Sequence, residues 1–181
     1  MSHGLVRKLG YDDYARLPDD GKRYELLGGE VFVTPAPGIG HQRAVRKLCR
    51  HLDDYFGSSA EVFPAPTDVI LGPHDVVQPD LVVVDDPAAL SSRAVERAPL
   101  LVVEILSPGT ARRDRGLKLE RYATLGVRHV WLVDHEVPRW EAFRTTAGRA
   151  ERVAAAEGDE AIVEHPDFPG LTLRLGTVRE P

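Results

Sequence analysis

Three residues in this chain have types and settings suited to chemistry: Asp80, Glu104 and Lys118. Asp80 lies in VVQPDLVVV and Glu104 in LLVVEIL, each a single acid within an apolar run. Lys118 lies in RRDRGLKLERYATLG, which reads as a helix. On the helical wheel it falls between Leu125 and Tyr122, inside the arc that also holds Leu119 and Ala123. Glu120, Arg121 and Thr124 take the other side. A lysine on an inward face must find a carboxylate or an anion, or lose its charge. Two lone acids and one lone base therefore suggest one buried polar site. A simpler reading leaves each acid solvated at a strand end or paired with an arginine. The coincidence of two such acids with an inward lysine favours the site.

Acids on neighbouring strands repel each other, which raises at least one pKa. A divalent cation removes that conflict. Oxygen ligands suit Mg²⁺ or Mn²⁺, which keep several waters and need only one or two carboxylates from the protein.

The elements that must position these groups follow from periodicity and turn residues. KRYELL and EVFVTP, joined at Gly28-Gly29, read as a hairpin, preceded by a short helix near Tyr11 to Leu17. HQRAVRKLCRHLDDYF is an amphipathic helix. His41, Ala44, Val45, Leu48, Cys49, Leu52, Tyr55 and Phe56 share one arc, and Gly57 stops it. EVFPAPTDVIL, VVQPDLVVVDD and LLVVEIL read as strands, the last two buried on both faces because their apolar runs hardly alternate. Alternation places Asp80 with Val82 and Val84, and Glu104 with Val102 and Leu106. The lysine-bearing helix runs from about Arg112 to Leu125. VRHVWLVD, RWEAFR, RVAAA and LTLRL complete a mixed α/β order, with a central sheet flanked by two main helices.

Composition narrows the class. With 181 residues, 43% hydrophobic and 28% charged, the chain fits one globular domain and neither a disordered nor a fibrous protein. No apolar run approaches a membrane span, and the N-terminus lacks the apolar core of a secretory signal. The single Cys49 cannot form an internal disulfide. A cytoplasmic protein is expected. The net charge of −5 gives no global attraction to nucleic acid, so DNA binding must rest on a local basic face.

At these residues the sequence resembles the PD-(D/E)XK nuclease superfamily, and more narrowly the Uma-two family of restriction-endonuclease-like proteins. The resemblance rests on YELLGGEV, GHQRAVRKL, QPDLVVVDD, VVEILSPGT and DRGLKLERYATLGVRHVWLVD. It implies a restriction-endonuclease-like fold over 1–181, with the motif core at about 20–145. It also implies Mg²⁺- or Mn²⁺-dependent endonucleolytic hydrolysis of DNA, and it admits a homodimer. Asp80, preceded by Pro79, matches the motif aspartate, Glu104 the acid and Ile105 the spacer. Leu106 stands where the motif lysine is expected, so Lys118 on the following helix is the implied substitute. Glu25 in YELLGGE matches an acid from an early element. Asp80 and Glu104 would hold the metal, with the Ile105 carbonyl a further ligand. Lys118 would orient water or stabilise charge developing on the phosphate.

Three further residues are weaker substrate contacts. His41, in the first turn of its helix, is either a core histidine or a contact to phosphate or metal-bound water. Gln78, two residues before Asp80, is expected on the same face. Arg115 could meet a phosphate. Asp114, one turn before Lys118, reads as an ion-pair partner. The basic face of Arg43, Arg46, Lys47 and Arg50 reads as solvated, and Trp131 and Trp140 read as core. A competing expectation, favoured by Leu106 and the acidic net charge, is a catalytically weak nucleic-acid-binding or regulatory protein that retains the nuclease fold. In a third, Asp80, Glu104 and Lys118 form only a structural ion network.

Overall fold

The apolar run around Asp80 does not form one strand. In the computed structural model, which describes residues 7–179, Asp75–Val77 forms β5 and Leu81–Val84 forms β6, in different sheets. Pro79 lies between them. It has no N–H to give to a ladder and biases Gln78 toward an extended conformation. The chain crosses from one sheet to the other at Gln78-Pro79-Asp80, leaving Asp80 at the start of β6.

The smaller sheet is antiparallel, in the order β2-β1-β5-β4. It is built from β1 (Arg23–Leu27), β2 (Glu30–Thr34), β5 and β4 (Val69–Gly72). The expected hairpin turns at Gly28 and Gly29, both at positive φ, where an L side chain is strained. The early helix is shorter than expected and covers Tyr11–Tyr14, as α1.

The larger sheet has the order β10-β9-β8-β7-β6-β3. Its outer strand β3 is Glu61–Pro64, and β7 is Leu101–Leu106. The other half comprises β8 (His129–Asp134), β9 (Arg139–Thr146) and β10 (Arg149–Glu157). Only β7 and β8 pair in parallel, and a parallel pair needs a crossover. The helix over 111–124 supplies it. Its parts are α3 (Ala111–Arg113), a wide π turn (Asp114–Lys118) and α4 (Leu119–Thr124). A small hairpin, β11 (Ile162–Glu164) with β12 (Thr172–Arg174), closes the chain.

The large sheet is covered on both faces, which explains its unbroken apolar runs. On one face α2 (Ile39–Phe56) lays Ala44, Val45, Leu48, Leu52 and Phe56 against Leu81, Val83, Leu101 and Val103. Trp131 and Trp140 lie in this core, with rings edge to face at 5.3 Å. On the other face Val82, Val102, Leu106, Val130 and Leu132 meet Leu27, Val69 and Val77 of the small sheet, and Tyr122 of α4. Asp80 and Glu104 share this second face by alternation. A polar site therefore lies where the two sheets and the crossover helix meet. Among the described residues no helix is long and apolar enough to cross a membrane.

Candidate active site

Register brings the two strand acids together. Leu81 pairs with Val103 in the antiparallel β6–β7 ladder, so Asp80 lies across from Glu104. The Ile105 N–H donates to Asp80 Oδ2 at 2.8 Å, which fixes the carboxylate against β7. His41 Nε2, from the first turn of α2, meets the same oxygen at 3.1 Å, and Arg23 of β1 approaches Oδ1 at 3.4 Å. Burial pushes the Asp80 carboxyl up, but His41, the Ile105 amide and Arg23 outweigh it and hold the group below the usual carboxylate value.

Lys118 occupies the centre. Its side chain is 2% exposed, and its ammonium lies 2.6 Å from Glu104 Oε1 and 2.8 Å from Glu25 Oε1. Asp114, one turn earlier, is 4.0 Å away. Burial by itself lowers the pKa of this lysine. Glu104, Glu25 and Asp114 together reverse that and raise its pKa above the ordinary value. Glu25, Glu104 and Asp114 are themselves buried, so the ammonium is held among acids that are shielded from water.

Glu25 arrives from β1 in the small sheet, fully buried. The Gln78 N–H donates to its Oε1 at 3.0 Å, Thr34 Oγ1 to its Oε2 at 3.2 Å, and Arg113 approaches Oε2 at 3.5 Å. Burial raises its carboxyl pKa, but Lys118, the Gln78 amide and Arg113 bring it below the ordinary value. Glu104 is different. Burial pushes it up to about 8 against the pull of Lys118, and the charges of Asp114, Asp80 and Glu25 push the same way. Tyr122 donates its hydroxyl to Glu104 Oε1. The cluster thus holds acids with opposed titration, a common mark of functional sites.

These groups line a cleft of about 350 Å³. Asp80, Glu104, Ile105, Asp114, Lys118 and His41 all face it. Its hard carboxylate oxygens, crowded enough to hold one acid near neutrality, fit a Mg²⁺- or Mn²⁺-type cation. Glu25 belongs to the cluster through Lys118 rather than through the cleft wall.

Two expected contacts fall elsewhere. The Gln78 side chain turns away from Asp80 and donates to Asp68 Oδ1 at 2.8 Å, because the break at Pro79 cancels the two-residue alternation. Only its backbone amide serves the site. Arg115 faces away from the cleft and pairs with Glu141, since the π turn rotates it off the Lys118 face. Conversely, Tyr122, Arg23 and Arg113 were not expected here, nor was His135, which lines the cleft from the β8–β9 turn. Only Tyr122 had a local signal: it lies four residues after Lys118, on the same helical face.

Comparison with known proteins agrees with this architecture. Residues 11–176 match the Uma2 family model, described as "Putative restriction endonuclease". A solved structure from Anabaena variabilis ATCC 29413, described as a putative nuclease belonging to DUF820, superposes with a TM-score of 0.77 at 18% identity. It covers 94% of this chain and 97% of that one, which shows a shared fold. An uncharacterized protein of Synechocystis sp. is 29% identical over 122 residues. That match covers 64% of this chain and 63% of the relative, so the chain spans under two thirds of that protein's length.

Proposed function

We propose that this chain, which belongs to the Uma2 family, is a divalent-metal-dependent endonuclease that hydrolyses DNA phosphodiester bonds. The observation that carries this reading is one buried ammonium set between acids from two sheets, beside the Asp80–Glu104 pair, at the wall of a cleft. In it Asp80 and Glu104 are the metal ligands, with the Ile105 carbonyl a further one, and Lys118 and Glu25 complete the catalytic group. Mg²⁺ or Mn²⁺, when bound, supplies Lewis acidity and lowers the pKa of a coordinated water.

The chain's own residues prepare that chemistry. The Ile105 amide, His41 and Arg23 hold Asp80 ionised and oriented, so its carboxylate is ready for a cation. Glu25 anchors the Lys118 ammonium together with Glu104. A charged Lys118 is a donor to water or to a phosphate oxygen, and it stabilises negative charge that develops on the phosphate. Tyr122 fixes Glu104 Oε1. His41 stands beside Asp80 and is a substrate contact in this reading. Gln78 and Arg115 are not, given where their side chains lie.

The test is conversion of supercoiled plasmid DNA to nicked or linear forms with millimolar Mn²⁺ or Mg²⁺. Glu104→Gln, Asp80→Asn and Lys118→Met should each abolish conversion while circular dichroism reports a folded chain. If neither ion yields hydrolysis of any DNA nor shifts the unfolding temperature, the reading fails. A second reading, DNA binding without hydrolysis, rests on Leu106 at the position of the motif lysine. Binding by the wild type with no cleavage under any of these conditions would favour it.

A further inference from the structure

The outward face of α2 carries charge that nothing else in the fold uses. Ile39, Arg43, Arg46 and Arg50 follow at spacings of four, three and four residues. They form one row along the helix, opposite the arc that packs on the large sheet. All four are exposed, Ile39 at 71%. The row starts at the cleft, since Gly38, Gly40 and His41 around its first member are lining residues. From there the three arginines lead away from the cleft in steps of about one turn.

Two observations separate this row from an ordinary solvated helix face. Arg97, Arg128 and Arg139 are exposed too, and each pairs with an acid: Asp86, Asp85 and Glu157 in turn. Arg43, Arg46 and Arg50 have no hydrogen bond and no ion pair among the described residues. This holds although the chain has 28 acids against 23 lysines and arginines. The charges of α2 also oppose its own stability. Ile39 to Leu52 contains no acid, and Asp53 and Asp54 fall in the last turn. A helix dipole favours the reverse, acids at the start and bases at the end. Arg43 with Arg46, and Arg46 with Arg50, are like charges at three- and four-residue spacing, which repel. A local charge pattern that costs the folded helix and gains nothing inside the chain marks a face whose counter-charge comes from a partner.

We propose that the Arg43–Arg46–Arg50 row of α2 is a docking surface for the sugar-phosphate backbone of duplex DNA, holding the stretch that flanks the bond in the cleft. The choice of DNA and of that bond rests on the nuclease reading; the unmatched row does not. Arg43 and Arg50 are about 10.5 Å apart along the helix axis. One DNA strand presents a phosphate every ~3.4 Å of its own axis, so the row spans about three phosphates. A guanidinium matches a phosphate through two parallel N–H donors. Contacts of this kind position the strand and add affinity but read no base sequence. They also let a chain of net charge −5 meet a polyanion, because the attraction is confined to one helix face.

The test is fluorescence anisotropy of a short labelled DNA duplex with the full chain, without divalent metal, over about 50 to 200 mM salt. The wild type should bind, with log Kd rising linearly with log salt. The triple variant Arg43→Gln, Arg46→Gln, Arg50→Gln should reduce that slope by about 2.7, or ~0.9 per lost phosphate contact, equally for unrelated duplex sequences. Across that range the wild type should then lose roughly 40-fold more affinity than the variant. Glutamine is a good helix former, so the variant should fold, as circular dichroism can check. Arg97→Gln, Arg128→Gln, Arg139→Gln changes net charge equally and should leave the slope unchanged. No binding by the wild type at about 50 mM salt, an unchanged slope in the α2 variant, or an equal loss in the control would overturn the docking surface. Phosphatidylglycerol vesicles bound as tightly as DNA, with the same dependence on the row, would overturn the DNA assignment. Absent hydrolysis with these slopes intact would remove the nuclease reading and leave the surface standing; hydrolysis with no loss of slope would do the reverse.

Discussion

Replacing Lys118 by methionine keeps most of the side-chain volume and removes the charge that the buried acids share. The ammonium lies 2.6 Å from Glu104 and 2.8 Å from Glu25, with both carboxylates almost wholly shielded from water. Breaking a buried ion pair by removing one partner costs about 3–5 kcal/mol. The lower end applies here. Glu104, already pushed up to about 8, can take a proton at neutral pH, and Glu25 keeps the Gln78 amide, Thr34 and Arg113. About 3 kcal/mol in a chain of this size lowers the unfolding temperature by roughly 6–12 °C. A divalent cation between the acids replaces the missing charge. At about a hundred times its dissociation constant it stabilises by about 2.7 kcal/mol, enough to restore most of the loss. The assay is thermal unfolding with and without Mg²⁺ at pH 7, with plasmid nicking followed in parallel. The variant should be destabilised without Mg²⁺, recover with it, and remain inactive in both. If Lys118→Met melts within a degree or two of the wild type, the ammonium does not hold the acids together. If Mg²⁺ stabilises the wild type more than the variant, the cation does not take over the charge that Lys118 supplied to these acids.

Other perturbations test neighbouring parts of the argument. Glu104 is an acid whose folded-state pKa is raised, so its neutral form favours folding below the ordinary carboxylate pKa, and that contribution is lost as pH rises through about 8. A cation binds the ionised form, so the Mg²⁺-induced gain in unfolding temperature should be larger at pH 8 than at pH 6; the reverse order would contradict the ligand assignment. Tyr122→Phe removes the hydroxyl donor to Glu104 and should cost about 1–3 kcal/mol in chemical denaturation without Mg²⁺; an unchanged midpoint would mean that this bond contributes nothing net. His165 is buried and pushed down to about 4, mainly by that burial and by nearby His129. The unfolded chain binds its proton first, so stability should decline as pH falls from about 6.5 toward 4. His165→Gln should flatten that decline, and an equally steep one in the variant would remove His165 as its cause.

The sequence alone determined what local periodicity and chain stiffness control. The α2 stripe, the hairpin at Gly28-Gly29 and the strands buried on both faces are each encoded within a short local stretch. So is the inward turn of Lys118, since one helix face carries it beside Leu119, Tyr122 and Ala123. Tertiary structure decided what lies opposite what. Glu25 reaches Lys118 across 93 residues, and His41 reaches Asp80 across 39. Nothing in either neighbourhood specifies such a distance, because these contacts are set by how two sheets dock on one helix. Alternation placed Gln78 beside Asp80, yet it holds only along an unbroken strand, and Pro79 ends β5's ladder before β6 begins. The π turn shifts Arg115 off the site by a widening that a uniform helical wheel does not contain. His135 lines the cleft from a turn whose local sequence carries no mark of that position. Side-chain direction within an element is a short-range property of backbone geometry, whereas a site assembled from five elements depends on register and docking, which are settled by burial of the whole core.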